Sequence, residues 1–144
     1  MTRLRLFVYG TLQPHAGTRM GEWIAARCGA SAEASVPGRI HAIRVSSGWF
    51  PALVPAASAQ RVRGTLCDLE LAAGELSILD RYEGREYRRA AMPVRTDQGL
   101  RIAAQVYLWR IPLPAHARPI VGGDFLAWLK ESRSSAFTTL RNGV

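Results

Sequence analysis

The sequence predicts an α+β domain built on a mainly antiparallel or mixed sheet, a kind of sheet that can close into a barrel. Two observations carry that expectation. Segments with strand-like patterning outnumber those with helical spacing, and strand and helix do not alternate in the regular way of a parallel α/β sheet.

Arg5 to Tyr9 is a short apolar run stopped by Gly10, the pattern of a buried first strand. Between Gly17 and Cys28, Met20, Trp23, Ile24 and Cys28 fall at helical spacing, and Gly29 stands where a helix C-terminus favours glycine. Val36 to Val45 and Arg61 to Leu71 show β-branched alternation and read as strands. Between them, SSGWFPALVP is a turn-rich stretch whose Pro51 and Pro55 exclude a regular helix. Ala73 to Tyr82 reads as a short helix, with Gly84 as its stop signal. Tyr87 to Thr96 and Arg101 to Arg110 form a hairpin across Asp97, Gln98 and Gly99. A last helix starts at Gly123 or Asp124, with Asp124 as N-cap, and turns Phe125, Trp128 and Leu129 to the core.

At 144 residues the chain is expected to form one domain, residues 1–144, with no internal repeat or linker. No apolar run approaches the roughly 20 residues of a membrane span, and no signal-peptide cleavage pattern follows the basic start, so a cytoplasmic location is expected. Cys28 and Cys67 lack the spacing of a zinc site and read as small apolar packing residues. His15, His41 and His116 are scattered, so no metal is expected. The net charge of +8 comes almost wholly from arginine, Lys130 being the exception, spread from Arg3 to Arg141. That spread does not suggest a nucleic-acid or membrane surface, and neither partner is expected.

Glu83 breaks a local rule. Leu76 and Leu79 mark the inward stripe of the short helix, and Glu83 falls seven and four positions after them. A carboxylate continuing an apolar face would have its pKa pushed up toward neutral, where it can take and return a proton. Alternatively, Gly84 ends the helix early and Glu83 points to water. Asp80, its neighbour, suits a capping or turn role equally well. The segment VYGTL offers a second candidate, because a strand ending at glycine can turn sharply and leave the amides of Gly10, Thr11 and Leu12 as a concave donor cluster. An ordinary turn is the competing reading there. Tyr9, Tyr87 and Tyr107 are able to line a pocket, or simply to sit half-buried as strand residues. A nucleophile elbow, a P-loop and a dinucleotide fingerprint are all missing from the sequence.

Taken in order, LFVYGTL, GWFPALVP, VRGTLCDL, LDRYEGREYRR, AAQVYLW and GGDFLAWL resemble the gamma-glutamylcyclotransferase-like (AIG2-like) family, from Leu6 to about Leu129. The resemblance implies a small mixed β-barrel flanked by a few helices. It implies that the backbone of Tyr9, Gly10, Thr11 and Leu12 holds the glutamyl part of a substrate, and that Glu83 is the acid–base catalyst. Tyr87 and Tyr107 match aromatic positions expected near the glutamyl group. The implied reaction cyclises a gamma-glutamyl amide to 5-oxoproline and frees an amine or amino acid, without cofactor. Contacts to the leaving group are expected from loops around Trp49, Phe50 and His116. The family also holds members without a demonstrated reaction, so the alternative is a non-catalytic carboxylate-binding or regulatory domain that keeps the same pocket.

Overall fold

The structure, a computed structural model, describes residues 1–132 apart from Ser47 and Ser58. The last part of the expected domain, including Arg141, lies outside the described residues. Among the described residues eleven elements follow one another: β1 (Thr2–Val8), α1 (Arg19–Arg27), β2 (Cys28–Pro37), β3 (Arg39–Val45), β4 (Gly48–Val54), β5 (Arg61–Leu71), α2 (Glu75–Glu83), β6 (Tyr87–Thr96), β7 (Arg101–Trp109), β8 (Arg118–Pro119) and α3 (Phe125–Ser132).

Five strands close a barrel in the order β1-β5-β2-β6-β7, and β3 forms a separate three-stranded sheet between β4 and β8. The barrel is mixed: β7 returns to β1 in parallel, Leu6 beside Gln105 and Phe7 beside Val106, while the other barrel pairs are antiparallel. This pairing explains why β1 changes character along its length. Arg3 and Arg5 are exposed, but Leu6, Phe7 and Val8 are buried, covered on both faces from where β7 joins the strand. Alternation then divides the core. Phe7, Val36, Val62, Val94 and Val106 belong to one cluster, and Leu6, Val8, Cys67, Leu69 and Tyr107 to a second, joined by Ile24 of α1 and Leu79 of α2.

The expected α+β class, the helices and the β6–β7 hairpin are present, and Asp124 caps α3 by accepting from the Ala127 amide at 3.0 Å. Cys67 is fully buried, as its alternation with Leu69 and Leu71 requires. Three segments differ from the sequence expectation. SSGWFPALVP is a strand rather than a turn: β4 pairs with β3 from Arg39 opposite Val54 to Val45 opposite Gly48. Its Pro51 is accommodated where a helix would break, because a short sheet tolerates a missing donor. The single strand expected from Val36 to Val45 is interrupted at Gly38, which has φ +155° and no room for a side chain beside Leu53 and Val54. Finally, Gly29 does not cap α1. The helix runs straight into β2 at Cys28, an Ala- and Ser-rich strand whose pairing with β5 shifts register between Cys28 and Ala30.

Candidate active site

The loop after β1 is shaped by what packs against it. A Cβ on Gly10 would come within 2.5 Å of the Pro51 ring, so β4 can lie against the loop only if residue 10 lacks a side chain. Gln13 then donates its amide to the Gly10 carbonyl at 3.2 Å, and Thr18, the N-cap of α1, donates its hydroxyl to the Thr11 carbonyl. Both bonds engage carbonyls. The amides of Gly10, Thr11 and Leu12 reach no acceptor among the described residues. Thr65 donates its hydroxyl to the buried Gln13 side chain at 3.0 Å and ties the loop to β5.

Tyr9 and Tyr107 meet beside this loop. The Tyr9 hydroxyl donates to the Tyr107 carbonyl at 2.5 Å, and Tyr9 is only 5% exposed. Burial raises the Tyr9 phenol well above its ordinary value, the charge of Glu83 raises it further, and the Leu53 amide partly opposes both. Tyr107 is also pushed up, by burial first, then by its bond to Asp80 and the charges of Asp80 and Glu83. Glu83 therefore lies within electrostatic reach of both phenols. It is the last residue of α2, half-buried, and Gly84 closes the helix by donating its amide to the Asp80 carbonyl at 3.1 Å.

Asp80, one turn earlier, has different company. It accepts the Tyr107 hydroxyl at 2.6 Å and the Arg89 guanidinium at 3.0 Å and 3.2 Å, and Arg89 also donates to Gln105. Burial alone would raise the Asp80 carboxyl; the bonds from Arg89 and Tyr107 and the Arg89 charge outweigh it and hold the group below its ordinary value. Asp80 thus stays ionised and fixes the Tyr107 ring. The capping and turn roles open to it in sequence are replaced by this network, which needed β6 and β7 to form before Arg89, Gln105 and Tyr107 could face α2.

Tyr87 is placed through its hydroxyl, which donates to the Pro51 carbonyl. Its ring meets Trp109 edge-on at 5.3 Å, and Phe50 lies 5.8 Å from Trp109. The structure so brings Tyr9, Gly10, Thr11, Leu12, Glu83 and Tyr107 to one end of β1, with Tyr87 joined to them through Pro51. Trp109 gave no signal in the sequence beyond an ordinary strand aromatic, yet its buried indole N–H has no acceptor among the described residues. Trp49 and Phe50 lie on β4 rather than on a loop, since their segment pairs with β3. Phe50 is buried, Trp49 packs edge-on against Trp128 at 5.1 Å, and His116 is exposed. Among the described residues no group of three or more His, Cys, Asp or Glu side chains is placed to hold a metal ion. No helix among them is long and apolar enough to cross a membrane.

The chain is thus a small mixed barrel with a glycine turn after its first strand and a carboxylate at the end of a short helix. A family model for gamma-glutamyl cyclotransferase, AIG2-like, matches residues 6–127, and the chain belongs to that family. The fold is similar to YkqA from Bacillus subtilis, with a TM-score of 0.69 and 20% identity over 92% of this chain; the match spans 43% of that protein's length. It is also similar to a gamma-glutamyl cyclotransferase, with a TM-score of 0.58 and 17% identity over 82% of this chain and 72% of that one. An AIG2-like protein from Mus musculus matches with a TM-score of 0.58 and 18% identity over 79% of this chain and 82% of its own. No curated protein matches the sequence.

Proposed function

We propose that this chain is a gamma-glutamyl cyclotransferase-type enzyme in which Glu83 is the acid–base residue. The observation that carries the reading is the position of Glu83, whose charge acts on the buried phenols of both Tyr9 and Tyr107 beside the Gly10–Leu12 amides. Membership in the family supports the reaction class.

A gamma-glutamyl amide carries an α-ammonium group and a side-chain amide in one molecule. Glu83 takes a proton from the ammonium group, and the freed amine attacks the side-chain carbonyl carbon. The new C–N bond closes a five-membered ring. The protonated Glu83 then returns its proton to the departing nitrogen as the old C–N bond breaks, and the second proton of the ring nitrogen passes to the freed amine, which leaves as an ammonium ion. The products are 5-oxoproline and a free amine or amino acid. The amides of Gly10, Thr11 and Leu12 suit the substrate carboxylate or the oxyanion of the tetrahedral intermediate. Holding the substrate folded lowers the entropic barrier, since nucleophile and electrophile belong to the same molecule.

Release of 5-oxoproline from a panel of gamma-glutamyl amino acids, amines and peptides tests the reading, with Glu83→Gln measured alongside. Release by the native protein and not by the variant supports it. A fully active variant removes Glu83 from the chemistry. Saturable ligand binding with no release across the panel would favour a binding domain instead.

A further inference from the structure

Near the start of β5 lies a small cavity of about 270 Å³, lined in part by Arg39, His41, Gln60, Arg61, Ile120 and Gly123. None of these residues belongs to the candidate active site, and a ligand bound here is independent of the reaction proposed there.

Strand register gathers arginines beside this cavity. Ser35 stands opposite Arg63 on β5 and opposite Arg95 on β6, and Arg95 stands opposite Arg101 on β7. Directly opposed residues share a face of the sheet, so Arg63, Ser35, Arg95 and Arg101 form one row across four strands. Arg61, two residues before Arg63, shares that face. Arg63 is neutralised: it pairs with Asp97 at 2.8 Å, and Glu33 and Asp124 also act on it. The others are not. Arg61 donates only to neutral oxygens, from Nε to Ser35 Oγ at 3.1 Å and from a terminal nitrogen to the Ser35 carbonyl at 2.9 Å. Among the described residues, Arg39, Arg61, Arg95 and Arg101 form no ion pair.

The consequences are visible in the groups themselves. Burial, then the like charges of Arg95 and Arg101, lower the pKa of the Arg61 guanidinium. Burial and the charge of Arg39 likewise lower that of His41. His41 Nδ1 is buried and has no hydrogen-bond partner among the described residues. A guanidinium held by neutral partners and repelled by two like charges therefore lies at the edge of this concavity.

We propose that this cavity binds a phosphate group, held between the guanidinium groups of Arg39 and Arg61, while Arg95 and Arg101 supply the attracting field. A multiply charged anion fits better than a single carboxylate, because Arg39 and Arg61 both line the cavity, Arg95 and Arg101 act on Arg61, and forked guanidinium donors suit phosphate oxygens. The cavity lies just below the roughly 300–1,000 Å³ of pockets for drug-sized ligands, so it suits a phosphate carrying at most a small organic group. Free phosphate and a small phosphomonoester share this chemistry.

Calorimetric titration with inorganic phosphate and with glycerol 3-phosphate, at an ionic strength held constant with sodium chloride, tests the site. Saturable binding of either ligand is expected, weakened at least about tenfold by Arg61→Gln and by Arg39→Gln, and unchanged by Arg5→Gln at the far end of β1. Arg39 is exposed, so its variant keeps the test valid if Arg61→Gln impairs folding. Amide resonances of Gly38, His41 and Gly123 should shift with the same midpoint. Tighter binding of the ester would identify a phosphorylated metabolite as the ligand, and equal binding would identify the free anion. Heat effects that do not saturate, that chloride reproduces, or that persist in a folded Arg39→Gln variant would overturn the proposal.

Discussion

The two ends of β1 handle charge in opposite ways. At its start, Arg3 and Arg5 reach across to Glu70 and Asp68 of β5 at 3.6 Å and 3.5 Å, and every one of these side chains is more than half exposed. Nearby, Arg27 and Glu75 pair at 2.6 Å and join α1 to the start of α2. At its finish, the Glu83 carboxylate is set against two buried phenols, and its neighbour Asp80 is locked by Arg89 and Tyr107. Exposed pairs in water contribute little and can be exchanged, whereas a carboxylate that acts on buried phenols marks a candidate functional site. The contrast separates charge that solvates a sheet edge from charge set beside buried phenols, where the proposed reaction calls for it.

The largest effect should follow Glu83→Gln. A loss of about 10²-fold or more in kcat/KM for 5-oxoproline release is expected, with the melting temperature little changed, because Gln nearly matches Glu in shape. Coincident loss of fold and activity would make Glu83 structural and erase the contrast between the ends. Next comes Gly10→Ala. The added methyl must push Pro51 away, so a destabilisation of about 1–3 kcal/mol and a raised KM are expected by denaturant titration and steady-state kinetics. Native values for both would mean that the loop and β4 part freely.

A double-mutant cycle of Asp80→Asn with Tyr107→Phe should give a smaller coupling, about 0.5–1.5 kcal/mol, given that Asp80 is partly exposed. Its pH dependence has a definite sign. The folded-state carboxyl lies below its ordinary value, so its contribution is present above the ordinary carboxylate range and lost as pH falls through the depressed value. Stability curves of native protein and Asp80→Asn should converge in acid; a gap that widens there would contradict the assignment. Smallest of all, Arg5→Gln should change stability by less than about 0.5 kcal/mol and leave turnover untouched. A large effect would show that the first end of β1 is not merely solvated.

Much of the fold was legible in order along the chain. β5 falls where β-branched alternation places it, β6 where the hairpin across Asp97 to Gly99 places it, and the Asp124 cap follows from one side chain at the right offset. VYGTL reads as a strand and a turn because apolar run and glycine are adjacent, and Glu83 stands out because it breaks a helical stripe formed within its own helix. β2 escaped notice because Ala and Ser carry little periodic signal, and its burial comes from β5 and β6 on either side. β4 escaped because prolines argue locally against regular structure, while its pairing with β3 is decided across a turn.

What the sequence by itself determined is thus local: the class of fold, most element positions, and a carboxylate and a glycine turn worth attention. Tertiary structure decided which of these meet. Asp80 acquired Arg89 and Tyr107, and Glu83 acquired two phenols, through strands brought together by barrel closure. Arginines dispersed through the sequence became a row, because strand register converts distance along the chain into adjacency across a sheet. Local preference is set by residues three or four apart, whereas the field at a site is a sum over everything the fold brings near.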